Sequence, residues 1–157
     1  MANANNMVAT TDGSKKQFIV VKIGSEQYGI DITYIDNIVR MQKITRVPKA
    51  QVYFKGIINL RGEVVPVMSL RLRMGLEADE FSHDTRIIIV KMEEHGSLGL
   101  IVDQVVEVVE LGSGEIDTYN PDNKDEKSVF IKGIGKYNGQ LISVLELNAI
   151  IEEKESV

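Results

Sequence analysis

The sequence predicts an all-β protein of barrel or sandwich type, made of two halves of similar design. Apolar runs of strand length, rich in Val and Ile, follow one another with single glycines or short polar turns between them, and helical periodicity is scarce. The run Lys55-Gly56-Ile57-Ile58-Asn59-Leu60-Arg61-Gly62-Glu63-Val64-Val65-Pro66-Val67-Met68-Ser69-Leu70 is echoed at residues 132–147, with Lys-Gly-Ile, a later Gly, a Val and a Leu kept in register. Tyr28-Gly29-Ile30-Asp31-Ile32, followed by Ile35 and Ile38, is echoed by Leu98-Gly99-Leu100-Ile101-Val102, followed by Val105 and Val108. Neither half is large enough to bury a generous core alone, so the two must pack together. A groove between them suits binding better than catalysis.

The elements follow in order. Residues 18–23 and 27–32 are strands joined by the turn Gly24-Ser25-Glu26. Ile32, Ile35, Ile38 and Val39 have helical spacing, which predicts a short turn of helix, although the β-branched Ile38-Val39 pulls its end toward strand. Pro48 closes this segment, having no amide hydrogen to donate. Residues 56–60 and 63–68 form a hairpin about Arg61-Gly62, and Pro66 within it should lie at an edge or a bulge. One helical turn at 70–74 is ended by Gly75. The acidic stretch 77–84 links the halves. Strands at 86–92, 97–102 and 105–111 follow, then a turn at 112–114 and a charged loop at 120–127. A second hairpin, 130–137 with 140–145, turns at Asn138-Gly139. Leu147, Ile150 and Ile151 give a short amphipathic C-terminal helix.

Composition narrows the function. A formal charge of -5 argues against nucleic acid as the main partner. With no cysteine there is no disulfide, thiolate catalysis or cysteine-bound zinc. Residues 1–16 lack the features of a secretory signal and read as a disordered tail, and no apolar run reaches the ~20 residues that span a bilayer. A soluble intracellular protein is the simplest expectation.

No assembled chemistry emerges. His83 and His95 sit in polar turns without a third ligand at metal spacing. Gly112-Ser113-Gly114 lacks the rest of a nucleotide fingerprint, and the Asp122, Asn123, Asp125, Glu126 cluster lacks the central glycine of a calcium loop. Ser69 and Ser143 have no nucleophile elbow around them. Asp31, Asp36 and Asp103 lie among apolar residues, where raised proton affinity is conceivable, but a salt bridge or an exposed rim is the default. Arg40, Arg46, Arg71 and Arg73 read as solvated or ion-paired. Arg61 differs, because a hairpin turn would present its planar guanidinium to a partner.

The segment Phe54-Lys55-Gly56-Ile57-Ile58-Asn59-Leu60-Arg61-Gly62-Glu63-Val64-Val65-Pro66-Val67-Met68-Ser69-Leu70 resembles the signature of the CheW family, the coupling proteins of bacterial chemotaxis. Tyr28-Gly29-Ile30-Asp31-Ile32, Ile44-Thr45-Arg46-Val47-Pro48 and Leu100-Ile101-Val102-Asp103 extend the likeness from residue 18 to about 151. The resemblance implies two intertwined SH3-like five-stranded barrels around a shared core. On that basis residues 17–154 form one domain, with subdomains near 17–77 and 85–145 and a C-terminal helix near 146–154. It implies a non-enzymatic, cytoplasmic adaptor, peripheral to membrane-bound receptor arrays and without cofactor. Its partners would be the regulatory domain of the histidine kinase CheA and the cytoplasmic tips of methyl-accepting chemoreceptors, with no nucleic acid and no membrane insertion. It places Ile35, Asn37, Arg61, Ile87 and Ile88 at or near the receptor groove, and Gly56 and Val64 toward the kinase. Asn37 departs from the pattern, the position often being acidic in relatives. The chain is too short for the kinase or a receiver-domain fusion, so a stand-alone coupler is expected. The alternative is a generic β-barrel module for a small anionic ligand.

Overall fold

The computed structural model describes residues 15–118 and 126–152. Its first hairpin joins β1 (Lys16–Ile23) to β2 (Glu26–Asp31), and a 3-10 turn at Ile32–Tyr34 leads into β3 (Ile35–Arg40). The hairpin β4 (Phe54–Leu60) and β5 (Glu63–Ser69) runs into the short helix α1 (Leu70–Arg73). After the connector come β6 (Arg86–Met92), β7 (Gly96–Val102), β8 (Gln104–Leu111) and β9 (Ile116–Thr118). The hairpin β10 (Ile131–Tyr137) and β11 (Gln140–Leu145) leads into α2 (Leu147–Ile151).

These strands make two sheets, ordered β8-β1-β2-β11-β10-β9 and β3-β6-β7-β5-β4. Both follow one plan. A parallel pairing joins β2 to β11 in the first and β7 to β5 in the second. Thr45, bridged to Ile57, stands outside β4 as β9 stands outside β10. The repeat seen in the sequence is therefore a repeat of topology.

The hairpins have exchanged places. β1 and β2, from the first half of the chain, lie in the sheet of β8 to β11; β6 and β7, from the second half, lie between β3 and β5. The boundary near 77–85 divides the sequence echo but not the sheets, which corrects a division into subdomains at 17–77 and 85–145. The cause is visible in burial: β1, β6 and β7 carry apolar side chains on both faces, as strands covered on two sides must.

Three apolar layers result. Phe18 and Val20 of β1 join Val109, Leu111, Ile142 and Val144 inside the six-stranded sheet. Ile87 and Ile89 of β6 join Ile58, Val65, Val67 and Ile101 inside the five-stranded one. The alternate residues, Ile19, Val21 and Ile23 of β1 with Ile88, Val90 and Met92 of β6, meet in the largest layer, between the sheets. Glycine is required where this packing is tightest: a Cβ at Gly99 would lie 2.8 Å from Ile87 Cγ2.

Most predicted elements are present, with shifted ends. The helical spacing after residue 32 belongs to the 3-10 turn, whose Asp31 cap accepts the Thr33 amide at 3.0 Å, and the rest is strand β3. Pro66 lies in the internal strand β5, at neither edge nor bulge. Its partner across β4 is Ile57, whose N–H and C=O are turned away to Thr45 at 2.8 Å each, so the pair exchanges no hydrogen bond. On its other side the ladder to β7 begins at Val67, and the missing donor costs nothing. The short edge strand β9 was not foreseen. Of the proposed tail, Lys15 and Lys16 are described and Lys16 already belongs to β1; the remainder, most of the charged loop at 120–127, and residues beyond 152 lie outside the described residues. Among the described residues no helix is long and apolar enough to cross a membrane.

Candidate protein-binding surfaces

The residues singled out in the sequence fall into two groups. Ile35, Asn37, Ile87 and Ile88 come together on the neighbouring strands β3 and β6, where Asn37 pairs with Ile89, Ile38 with Ile88 and Val39 with Ile87. β3 is an edge strand. Ile35 and Ile38 are half-buried against the layer between the sheets, as is Val105 of β8, the edge strand of the other sheet. Val106 and Val108 of β8 are exposed. Asn37 turns its Oδ1 back to the amide of Ile38 at 2.8 Å.

Ile87 and Ile88 are fully buried, on opposite faces of β6. Neither side chain reaches the surface, so a place near the receptor groove can only be a supporting one, behind β3. Strong β-branched runs signal such double burial in sequence as readily as they signal a groove.

Arg61, Val64 and Gly56 form the second group, on the β4–β5 hairpin at the far edge of the same sheet. Arg61 has φ +51° and Gly62 φ +83°, the paired positive angles of a two-residue hairpin turn. Asn59 fixes it, its Oδ1 accepting the Gly62 amide at 3.1 Å. Arg61 and Val64 are exposed, whereas Val65 and Val67 of the same strand are buried. Gly56 lies under other backbone: a Cβ there would meet the Thr45 carbonyl oxygen at 2.1 Å. Its part in any contact is to let Thr45 pack, with no side chain of its own to offer.

A depression of about 650 Å3 opens beside this hairpin, between the segment 44–55, α1 and the connector. Arg46, Lys49 and Lys55 line it with Leu72, Val52 and Phe81, and no carboxylate is among the described residues that line it. Val52 and Phe81 are respectively 76% and 53% exposed, so apolar surface faces solvent here. No motif in the sequence marks this depression. The available signal was Val47 and Val52, which flank Pro48 outside any alternating run.

Arg71 and Arg73 are structural. Arg71 grips Asp103 with both ends of its guanidinium, Nε to Oδ1 at 3.0 Å and Nη2 to Oδ2 at 2.6 Å, and the Gly24 amide adds a third bond at 2.8 Å. Burial works to raise the Asp103 pKa, but the Arg71 hydrogen bond, the Gly24 amide and the Arg71 charge outweigh it and hold the carboxyl below its ordinary value. Asp103 is thus the ion-paired carboxylate that the sequence reading takes as the default. Arg73 is no solvated arginine. It donates to the carbonyls of Ile150 at 2.8 Å and Glu152 at 2.8 Å at the end of α2, with its guanidinium 4.6 Å from the Tyr53 ring and 4.9 Å from that of Phe130.

Residues 17–155 match the model of the CheW-like domain. The chain belongs to the CheW family. Among its relatives, the chemotaxis protein CheW of Bacillus subtilis (strain 168) is 33% identical over 141 residues, covering 90% of each chain. The chemotaxis protein CheW of Helicobacter pylori is 36% identical over 137 residues, covering 87% of this chain and 82% of that protein. Among solved structures, the scaffolding protein TtCheW of Thermoanaerobacter tengcongensis superposes with a TM-score of 0.80 at 34% identity, covering 88% of each chain. The exchanged-hairpin architecture is thus that of a CheW scaffold.

Proposed function

We propose that this chain is a non-enzymatic chemotaxis adaptor, acting in the cytoplasm, that couples the cytoplasmic tips of transmembrane chemoreceptors to the regulatory domain of the kinase CheA. Membership of the CheW family supports the role, and the display of Arg61 carries the assignment of a surface to it. A signature hairpin that buries Ile58, Val65, Val67 and Met68 in the core holds Arg61 out into solvent at its tip, in a turn fixed by Asn59. A guanidinium so placed can form a forked bond to a carboxylate on a receptor helix. Ile35 and Asn37 on β3 are the further receptor candidates, supported from behind by Ile87 and Ile88. The kinase contact falls to the ground near Gly56 and Val64. At the Phe54–Lys55 end of the same hairpin, the cationic, partly apolar depression suits an acidic surface with apolar anchors.

The test is binding to each partner separately. Arg61→Ala should leave the thermal midpoint and kinase affinity in place and weaken binding to a receptor-tip fragment by about 1 to 3 kcal/mol. Arg61→Lys should recover part of the loss, keeping the charge without the planar fork. Unchanged receptor affinity in Arg61→Ala would remove the residue from the site; a collapsed midpoint with both affinities lost would make it a folding residue.

A further inference from the structure

Beside the apolar residues of segment 44–54, two further apolar walls of the cationic depression come from different elements: Leu72 from α1, and Phe81 from the connector between the halves. One buried hydroxyl ties both. Ser69, fully buried at the start of α1, accepts the amide of Leu72 at 3.1 Å and donates to Asp79 Oδ2, two residues before Phe81. The other carboxylate oxygen, Asp79 Oδ1, is buried and has no hydrogen-bond partner among the described residues. Burial raises its pKa and the charge of Asp103 pushes the same way, against the Ser69 hydrogen bond, the residue's own backbone amide and the Arg71 charge. The ionised form is therefore held at a cost, and its side-chain bond to Ser69 ties the connector to the start of α1.

We propose that Ser69 and Asp79 form a clasp that positions Phe81 against Leu72, and so sets the shape of the depression that receives an acidic, apolar surface of the kinase regulatory domain. The clasp rests on the assignment of that depression to the kinase. Phe81 is the contact and Asp79 the positioning residue, acting through it. Cutting the clasp frees the connector, and Phe81 then has to be ordered each time a partner binds.

Four variants and two ligands test it: Asp79→Ala, Asp79→Asn, Phe81→Ala and the double variant Asp79→Ala/Phe81→Ala, titrated with purified kinase regulatory domain and with a receptor-tip fragment, each with a thermal midpoint. Asp79→Ala should bind the kinase domain roughly fivefold or more weakly with no loss of midpoint, since it also removes the buried charge. Asp79→Asn, which keeps an acceptor for Ser69, should bind as the wild type does. In the Phe81→Ala background Asp79→Ala should cost nothing further, and receptor affinity should not move in any variant. Wild-type kinase affinity in Asp79→Ala, beside a weakened Phe81→Ala, overturns the clasp alone. A full additional loss in the double variant overturns it as well, showing that Asp79 does not act through Phe81. Unchanged affinity in Phe81→Ala would remove the depression from the kinase site and the clasp with it.

Discussion

Two glycines of one hairpin are needed for different physical reasons. At Gly62 the requirement is conformational: φ is +83° but a Cβ would find open space, so a side chain meets only backbone strain. At Gly56 φ is +141°, and a Cβ would also press into the Thr45 carbonyl that makes the bridge to Ile57. Gly62→Ala should cost about 1 kcal/mol and Gly56→Ala about 3 kcal/mol or more, read from urea midpoints. Equal costs would mean that the Thr45 segment moves aside freely. The sequence announced the first requirement, because a glycine between two alternating runs marks a turn. It was silent on the second, since what crosses Gly56 is set by how residues 41–53 fold back.

The elements are held to one another by a few polar ties between residues far apart in the chain. Asp103, in the crossover from β7 to β8, is bound by Arg71 of α1 and by the turn between β1 and β2, and its own amide donates to Lys22 at 3.1 Å. Because the Asp103 pKa is lowered in the folded protein, its contribution is present above the unfolded value, near pH 3.9, and is lost as the pH falls through the folded one. Asp103→Asn should therefore be less stable than wild type by about 1 to 3 kcal/mol at pH 7, and the difference should shrink below about pH 4. A constant difference across that range would show that the charge is not what matters. No pattern in the sequence joins residues 71 and 103. The strands themselves were legible from β-branched alternation, and β3 was blurred because Ile32, Ile35 and Ile38 fall by chance at helical spacing across a 3-10 turn and a strand.

For the molecule as a whole, the sequence carried the repeat but not the exchange of hairpins. Each half has the same order of strands whether its first hairpin packs on its own half or on the other, so self-similarity alone cannot tell the two arrangements apart. The burial of β1 and β6 on both faces decides it, together with a link of three residues, Ile32–Tyr34, between β2 and β3. So short a link holds β1 and β2 in the opposite sheet. Alone, residues 17–77 would leave β1 without β8, β2 without β11, β3 without β6 and β5 without β7. The complementary half, 85–157, would lack the same partners in reverse. Each half expressed separately should be unfolded or aggregated by amide dispersion, whereas the two refolded together should restore dispersed spectra and one cooperative unfolding transition. A dispersed spectrum from either half alone would show that its first hairpin can close onto its own strands, and that the three apolar layers are not an obligate unit.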